Sequence, residues 1–214
     1  MESNKRCSVS RYFQDRSLDQ NKKSRTRGVL FDSALAMFCQ DGISNVRLED
    51  IMQYAGMATG TFYNHFKDKD ELIHALAISI VLELLGSYEE DSLEIKDSPI
   101  RIVVLIHIMM SAALQQNSWG EFLAQAFYLV PPSYLNIGTC LKEDIDSGAE
   151  QGVFTITRDL FQLDQVSSLL LSGMRRLGED DENIIERTSE NILRLLGVSP
   201  TNARLAIGKA QAFL

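Results

Sequence analysis

Residues 47–66 read RLEDIMQYAGMATGTFYNHF, and their spacing predicts two short helices joined by a tight turn. Apolar residues recur at helical intervals in the first half and predict one buried stripe, formed by Leu48, Ile51, Met52 and Ala55. Gly56 follows at the point where a glycine can end a helix in a left-handed conformation without steric cost. Phe62 and Phe66 lie four residues apart, so we expect them to hold the second helix against the first.

The outer face of the second helix is polar but carries no charge, which is unusual for a surface that meets only water. It consists of Thr59, Gly60, Thr61, Tyr63 and Asn64. Hydroxyl and amide groups donate to phosphate oxygens, a threonine methyl contacts a thymine methyl, and a glycine lets the backbone approach closely. These residues therefore predict a helix-turn-helix with double-stranded DNA as its first candidate partner.

The composition of the chain indicates an all-helical protein with a substantial core. Of its 214 residues, 45% are hydrophobic and only four are proline. The net charge of −8 is unevenly distributed, with eight Lys or Arg against three Asp or Glu in residues 1–27 and ten against nineteen in residues 75–214. Because phosphate binding depends on charge within a Debye length of about 8–10 Å, the acidic remainder does not exclude nucleic acid.

The sequence predicts a cytoplasmic protein without membrane association. The apolar run at residues 102–110 falls far below the roughly 20 residues needed to cross a bilayer. Cys7, Cys39 and Cys140 are widely separated and odd in number, so they indicate neither a disulfide framework nor a metal knuckle.

Neither a catalytic site nor a cofactor or metal site is predicted. Glu71 and His74 have the Glu-x-x-His spacing of di-iron helical bundles, but such a site needs a second motif. Neither His65 nor His107 has a glutamate three residues earlier. Serine elbows, phosphate loops and dinucleotide fingerprints do not occur either, so we expect the chain not to be an enzyme.

The pattern divides the chain into three predicted regions. Residues 1–18 lack periodicity and are expected to form a flexible basic arm. Residues 19–74 are expected to form the helix-turn-helix domain, which starts with a helix over residues 19–40. Residues 75–214 are expected to form a larger helical domain.

Residues 26–76 resemble the DNA-binding domain of the TetR family of transcriptional regulators. A first helix ending in FCQDG precedes IMQYAGMATGTFYNHFKDKDELIHAL, and the most distinctive part is residues 56–66 followed by Lys69 and Leu72. The resemblance implies an all-α fold with an N-terminal three-helix DNA-binding domain. It also implies a larger helical domain for effector binding and dimerisation.

The resemblance further implies which residues contact DNA. Approach to bases or the nearby backbone is implied for Thr59, Gly60 and Thr61. Contacts to phosphates are implied for Tyr63, Asn64, His65 and Lys69. Arg47 stands where the family commonly has a capping threonine, and an arginine is expected to bind phosphate without capping. Ala58 replaces a second frequent cap residue, which leaves one backbone N–H for water or phosphate.

An effector pocket is predicted in the distal domain, because a few polar groups occur there among aromatic and apolar residues. The candidate lining residues are His107, Met110, Ser111, Trp119, Phe122, Phe127 and Tyr128. The same pattern is typical of an ordinary core, so both interpretations stay open.

Two amphipathic stripes near the end of the chain have the spacing of a helical bundle between two subunits. The stripes consist of Leu163, Ser167, Leu170 and Met174, and of Ile184, Thr188, Ile192 and Leu195. Packing inside a single chain is the alternative. We favour a homodimer interface, because a helix-turn-helix that reads a palindrome needs a twofold partner.

Together these patterns predict a repressor that binds a near-palindromic operator as a homodimer and is released by a small, largely apolar effector. Two alternatives are an activator or master regulator controlled by a partner protein, and a helical dimer that does not bind DNA.

Overall fold

The computed structural model describes residues 11–92, 94–115, 117–126, 129, 137–177 and 181–214. Within these ranges the chain is helical and contains no strand, which confirms the predicted all-α class. No helix in this part of the chain is long and apolar enough to cross a membrane. The helices are α1 (Tyr12–Arg16), α2 (Lys22–Asp41), α3 (Leu48–Tyr54), α4 (Thr59–Phe62), α5 (Lys69–Ser92), α6 (Ser98–Gln115), α7 (Asn117–Ala126), α8 (Ile137–Glu150), α9 (Leu160–Met174), α10 (Ile184–Leu195) and α11 (Pro200–Ala210), followed by a 3-10 turn (Gln211–Phe213).

The helices form two compact units. The first unit contains the described parts of residues 1–77 and 117–129, and the second contains those of residues 78–116 and 130–214. The predicted boundary after residue 74 lies close to the end of the first segment. Assigning residues 117–129 to the distal domain was wrong, however, because α7 buries its aromatic side chains against α1 and α2.

Helix α2 is the centre of the first unit and packs against α1, α3 and α7. It begins at Asn21, whose side chain accepts a hydrogen bond from the Ser24 backbone N–H. One face buries Phe31, whose ring lies 5.8 Å from that of Phe66. Farther along α2, the ring of Phe38 stacks on Phe122 of α7 at 5.9 Å. These contacts hold the helix-turn-helix and α7 on the same supporting helix.

The expectation of a flexible arm through residue 18 is wrong for its last part, because α1 packs on α2. Asp32 of α2 accepts hydrogen bonds from the backbone N–H groups of Phe13 and Gln14, at 3.1 and 2.9 Å. A methyl group on Gly28 would lie 2.6 Å from the Phe13 carbonyl oxygen, so the two backbones approach closely there. Residues 1–10 of the predicted arm lie outside the described residues.

Burial of Asp32 changes its titration. The carboxyl group is almost completely enclosed, and this desolvation raises its pKa to about 6, against the lowering effect of the two backbone hydrogen bonds. The ionised form therefore carries a cost that the hydrogen bonds from α1 offset only in part.

In the second unit, α6 packs against α8, α9, α10 and α11. Its residues from Ile102 to Ile106 are all buried, as expected for a central helix. Gly173 of α9 allows a close approach: a methyl group there would lie 2.4 Å from Thr188 Oγ1 and 3.0 Å from Met110 Cε.

A polar cluster joins α5, α6 and α8 in the second unit. The Tyr88 hydroxyl donates to Asp144 Oδ2, and Arg101 Nε donates to Asp144 Oδ1 at 2.5 Å. Burial lowers the pKa of Arg101, but its hydrogen bond to Asp144 and the neighbouring groups raise it by more, so the arginine stays cationic. The buried carboxylate is thereby paired.

Most residues of the predicted dimer stripes are buried inside the single chain, which fits the alternative of packing within one chain, and the homodimer interface stays a prediction. Six of the eight residues are buried without any partner subunit: Leu163, Ser167, Leu170, Met174, Thr188 and Ile192. Helical spacing identified residues that share a face, but α9 and α10 turn those faces toward each other and toward α6. Ile184 and Leu195 are only partly buried.

Candidate nucleic-acid interface

Helices α3 and α4 form the predicted helix-turn-helix. At the start of α3, the Asp50 carboxylate accepts a hydrogen bond from the Arg47 backbone N–H at 3.0 Å, so an acidic side chain in the first turn occupies that donor. Ile51 and Met52 are buried, as the stripe predicted. Gly56 has a φ of 65°, which confirms the left-handed residue expected between the two helices.

Helix α4 presents the predicted outer face. Phe62 and Phe66 are buried with their rings 5.6 Å apart, and they hold the short helix in place. Thr59, Gly60 and Asn64 are exposed, Thr61 is half-buried, and the Tyr63 side chain is 60% exposed. Ala58 precedes α4, and its methyl group cannot accept a hydrogen bond. No side chain caps the first turn of α4, and the Thr61 backbone N–H donates to the Ala58 carbonyl oxygen at 2.8 Å.

Two cations from α2 lie near the end of α4. The Arg27 guanidinium is 5.0 Å from the centre of each of the Phe31 and Phe66 rings, and burial lowers its pKa while Glu71 raises it. His65 feels both Lys23 and Arg27: burial first, and then these two charges, lower the pKa of its imidazole. The sequence pattern does not predict that these α2 cations lie beside His65, because the contact joins residues about forty positions apart.

Lys69, at the start of α5, has a role that sequence analysis missed. Its Nζ donates to the backbone carbonyls of Ile43 and Val46, each at 2.8 Å. Two of the three donors of the ammonium group are therefore used within the protein.

The sequence profile of bacterial regulatory proteins, tetR family, matches residues 30–76, which include the whole helix-turn-helix. Residues 30–76 are therefore similar to the DNA-binding domain of the TetR family. The chain is 31% identical over 103 residues to the HTH-type transcriptional regulator AcrR of Shigella flexneri, covering 46% of each chain. It is also 31% identical over 72 residues to the HTH-type transcriptional repressor KstR2 of Rhodococcus jostii (strain RHA1), covering 34% of this chain and 35% of that one. The matches thus span less than half the length of these relatives, and both relatives are transcriptional regulators.

A likeness over most of the chain exists at the level of the fold. The structure of RolR in complex with resorcinol superposes with a TM-score of 0.65 at 23% sequence identity, covering 87% of this chain and 94% of that one. The chain therefore shares the helical fold of RolR over most of its length.

The predicted effector-pocket residues are divided between the two units. Trp119 and Phe122 are buried in the first unit, where Trp119 lies 4.8 Å from the ring of Tyr12. His107 and Ser111 lie on a half-buried side of α6 in the second unit, whereas Met110 is in its core beside Gly173. Phe127 and Tyr128 lie outside the described residues, and the pocket itself stays a prediction.

The Glu-x-x-His pair of the TetR-family domain has structural partners. Glu71 accepts from the Lys67 backbone N–H, and His74 Nε2 lies 3.2 Å from the Leu129 carbonyl oxygen. Among the described residues, no group of three His, Cys, Asp or Glu side chains could hold a metal ion.

Proposed function

We propose that the chain is a DNA-binding transcriptional repressor that binds a near-palindromic operator as a homodimer and responds to a small effector. The observation that carries the proposal is the exposed, uncharged face of α4 beside the α2 cations, in a domain of the TetR family. An uncharged hydrogen-bonding face flanked by positive charge suits a helix in the major groove between two phosphate backbones. The proposal assigns no enzymatic reaction and places the protein in the cytoplasm.

In the proposed complex, the start of α4 enters the major groove. Thr59, Gly60 and Thr61 approach base edges, and the N–H groups after Ala58 face a phosphate. Side chains that donate to phosphates are Tyr63, Asn64, His65 and Arg47, whereas the ammonium group of Lys69 is held by the Ile43 and Val46 carbonyls. Burial and the charges of Lys23 and Arg27 lower the pKa of His65, and a neutral imidazole can still donate to a phosphate through one ring N–H.

A dimer is proposed through the outward side of α9 and α10, since the inward side is already buried. Leu169, Ser172, Ile184 and Asn191 line a shallow crevice of about 120 Å³ between these helices. Phe161, at the start of α9, is 70% exposed. A palindromic operator requires the α4 helices of the two subunits to lie roughly 34–36 Å apart, one DNA turn.

A small effector is proposed for the second unit. His107 and Ser111 offer two polar groups on one side of α6, in the otherwise apolar stretch from Ile102 to Leu114, an arrangement suited to a mainly apolar ligand with one or two hydroxyl groups. RolR, which shares the fold, was crystallised with resorcinol, a molecule of that kind. The effector would release DNA by favouring a state with different spacing between the two α4 helices, which needs a coupling of about 1–3 kcal/mol.

The experiment that tests the proposal is selection of bound sequences from random duplex DNA at two salt concentrations, using the full chain. We expect an inverted repeat whose half-sites are about one turn apart, with affinity that falls steeply with salt. Unfolding and refolding the protein before a second selection would remove a co-purified effector. Failure to recover a motif in both selections would contradict the proposal.

A further inference from the structure

The turn between α2 and α3, residues 42–46, is held by hydrogen bonds to side chains of two other helices. It begins at Gly42, whose φ is 79°, and its two apolar residues, Ile43 and Val46, are buried. Burial of the side chains brings their backbone groups out of water, so these groups need partners inside the protein.

Two side chains from different helices supply those partners. The Ile43 backbone N–H donates to Gln125 Oε1 of α7 at 3.0 Å. The carbonyls of Ile43 and Val46 both accept from Lys69 Nζ of α5 at 2.8 Å. The turn is therefore held on its donor side by one helix and on its acceptor side by another.

The Gln125 contact fixes the position of the turn in a way that apolar packing does not. The nearest aromatic contact of α7, between Phe122 and Phe38, is an almost parallel stack with an interplanar angle of 11°. A parallel stack permits sliding at little cost, whereas a hydrogen bond weakens steeply with distance and angle. The turn ends at Val46, directly before the first cap residue of α3, so its position is passed to α3 and then to α4, which packs on α3.

We propose that Gln125 and Lys69 are positioning residues that set the pose of the helix-turn-helix by clamping residues 42–46. This inference rests on the proposed DNA-binding function. Through Gln125, α7 makes a direct hydrogen bond to the turn before the helix-turn-helix. The chain reaches α7 from the second unit and returns to the second unit after it. Movement of α7 would break the Ile43 bond and leave a buried N–H unpaired.

The test compares three variants of the full chain on the operator recovered with the wild-type protein. Gln125→Met keeps the length of the side chain but removes the acceptor, and we expect it to weaken operator binding about tenfold. Gln125→Glu keeps an acceptor at the same place and should stay within about threefold of the wild type. Glu121→Gln, on the exposed side of the same helix, is the control and should bind as the wild type does.

A positioning role also predicts a loss of operator binding without a loss of non-specific DNA binding, which general damage to the fold would not produce. Binding to unrelated DNA at low salt depends on the total charge of the surface, so Gln125→Met should leave it unchanged while operator binding falls. Equal losses on both DNAs, or no loss on either, would overturn the inference. The wild-type selection decides the DNA-binding proposal separately.

Hydrogen exchange at the Ile43 amide tests the clamp without DNA. We expect faster exchange at Ile43 and along α3 in Gln125→Met, and wild-type protection in Gln125→Glu. Unchanged exchange in Gln125→Met would refute the clamp whether or not an operator has been found.

Lys69 is tested through the salt dependence of binding. Lys69→Met should weaken operator binding without changing the slope of log K against log salt concentration, because the ammonium acts on carbonyls. A slope reduced by about one contact would make Lys69 a phosphate ligand and would overturn its assignment as a positioning residue.

Discussion

Gly60→Ala distinguishes DNA contact from folding, because we expect it to stabilise the free protein and to weaken its binding to the operator. Gly60 is exposed in α4, and a methyl group built on it meets no heavy atom within 4 Å in the described part of the chain. The substitution therefore fits the free protein without a clash. Alanine in place of glycine in a helix stabilises by about 0.5–1 kcal/mol, and the lower value is expected because α4 has only four residues.

In the proposed complex the same methyl group would enter the space between α4 and the DNA. Forcing an extra methyl group into a packed contact costs about 1–3 kcal/mol. We therefore expect the Kd for the operator to rise about tenfold, equivalent to about 1.4 kcal/mol. Urea denaturation would measure the stability, and fluorescence anisotropy of a labelled operator duplex at fixed salt would measure the Kd.

Gly208→Ala is the matched control for this experiment. Gly208 is also exposed in a helix, and a methyl group there likewise meets no heavy atom within 4 Å in the described residues. It lies on α11 in the second unit, so the variant should gain similar stability and bind the operator as before. Wild-type operator affinity in Gly60→Ala would refute the close approach of α4 to DNA, and a loss of stability would refute the geometry of the free helix.

Three further substitutions test other parts of the structure. Gly173→Ala should lower the free energy of unfolding by about 1–3 kcal/mol, because the new methyl group would lie 2.4 Å from Thr188 Oγ1. Adding Thr188→Ala should recover most of that loss in urea denaturation, and additive losses would contradict the close contact. The pKa of Asp32 is about 6 in the folded protein against an ordinary 3.8, so its contribution to stability is fully present below pH 3.8 and is lost as the pH rises through 6. Relative to Asp32→Asn, the wild type should therefore lose about 1.4 kcal/mol between pH 5 and pH 8, and parallel pH profiles of the two proteins would show that the carboxyl titrates normally. Tyr63→Phe should weaken operator binding about tenfold by removing a donor to phosphate, whereas Tyr54→Phe, which alters an equally exposed tyrosine on α3, should not; equal affinities for the two variants would remove Tyr63 from the interface.

The helix-turn-helix could be predicted from the sequence because its determinants are local. Gly56 needs a positive φ that its neighbours in the chain determine, and Phe62 and Phe66 share a face because they lie four residues apart. The exposed face of α4 then follows from helical geometry alone. The contacts of that face with DNA stay predictions.

Contacts between distant residues could not be predicted in the same way. Lys69 matches a phosphate-binding position by sequence, yet its ammonium group binds two carbonyls that lie more than twenty residues earlier. The five residues of α1 are too few to display a helical period, and the helix depends on Asp32, eighteen residues away from Gln14, to accept its backbone hydrogen bonds. A pattern in the sequence identifies the face of a helix but not the element that covers it.

Helix α7 shows why the sequence could not predict the bounds of the first unit, which consists of two separate segments of the chain. The family profile ends at residue 76, but the first unit is completed by a helix that starts forty residues later. Phe122 covers Phe38, and Gln125 satisfies the Ile43 N–H, so a fragment without α7 would expose an aromatic ring and leave a buried donor unpaired. The unit that contains the helix-turn-helix therefore includes a segment whose ends both continue into the second unit. The stability of the first unit and the position of α7 are therefore linked, because the contacts of Phe122 and Gln125 determine both.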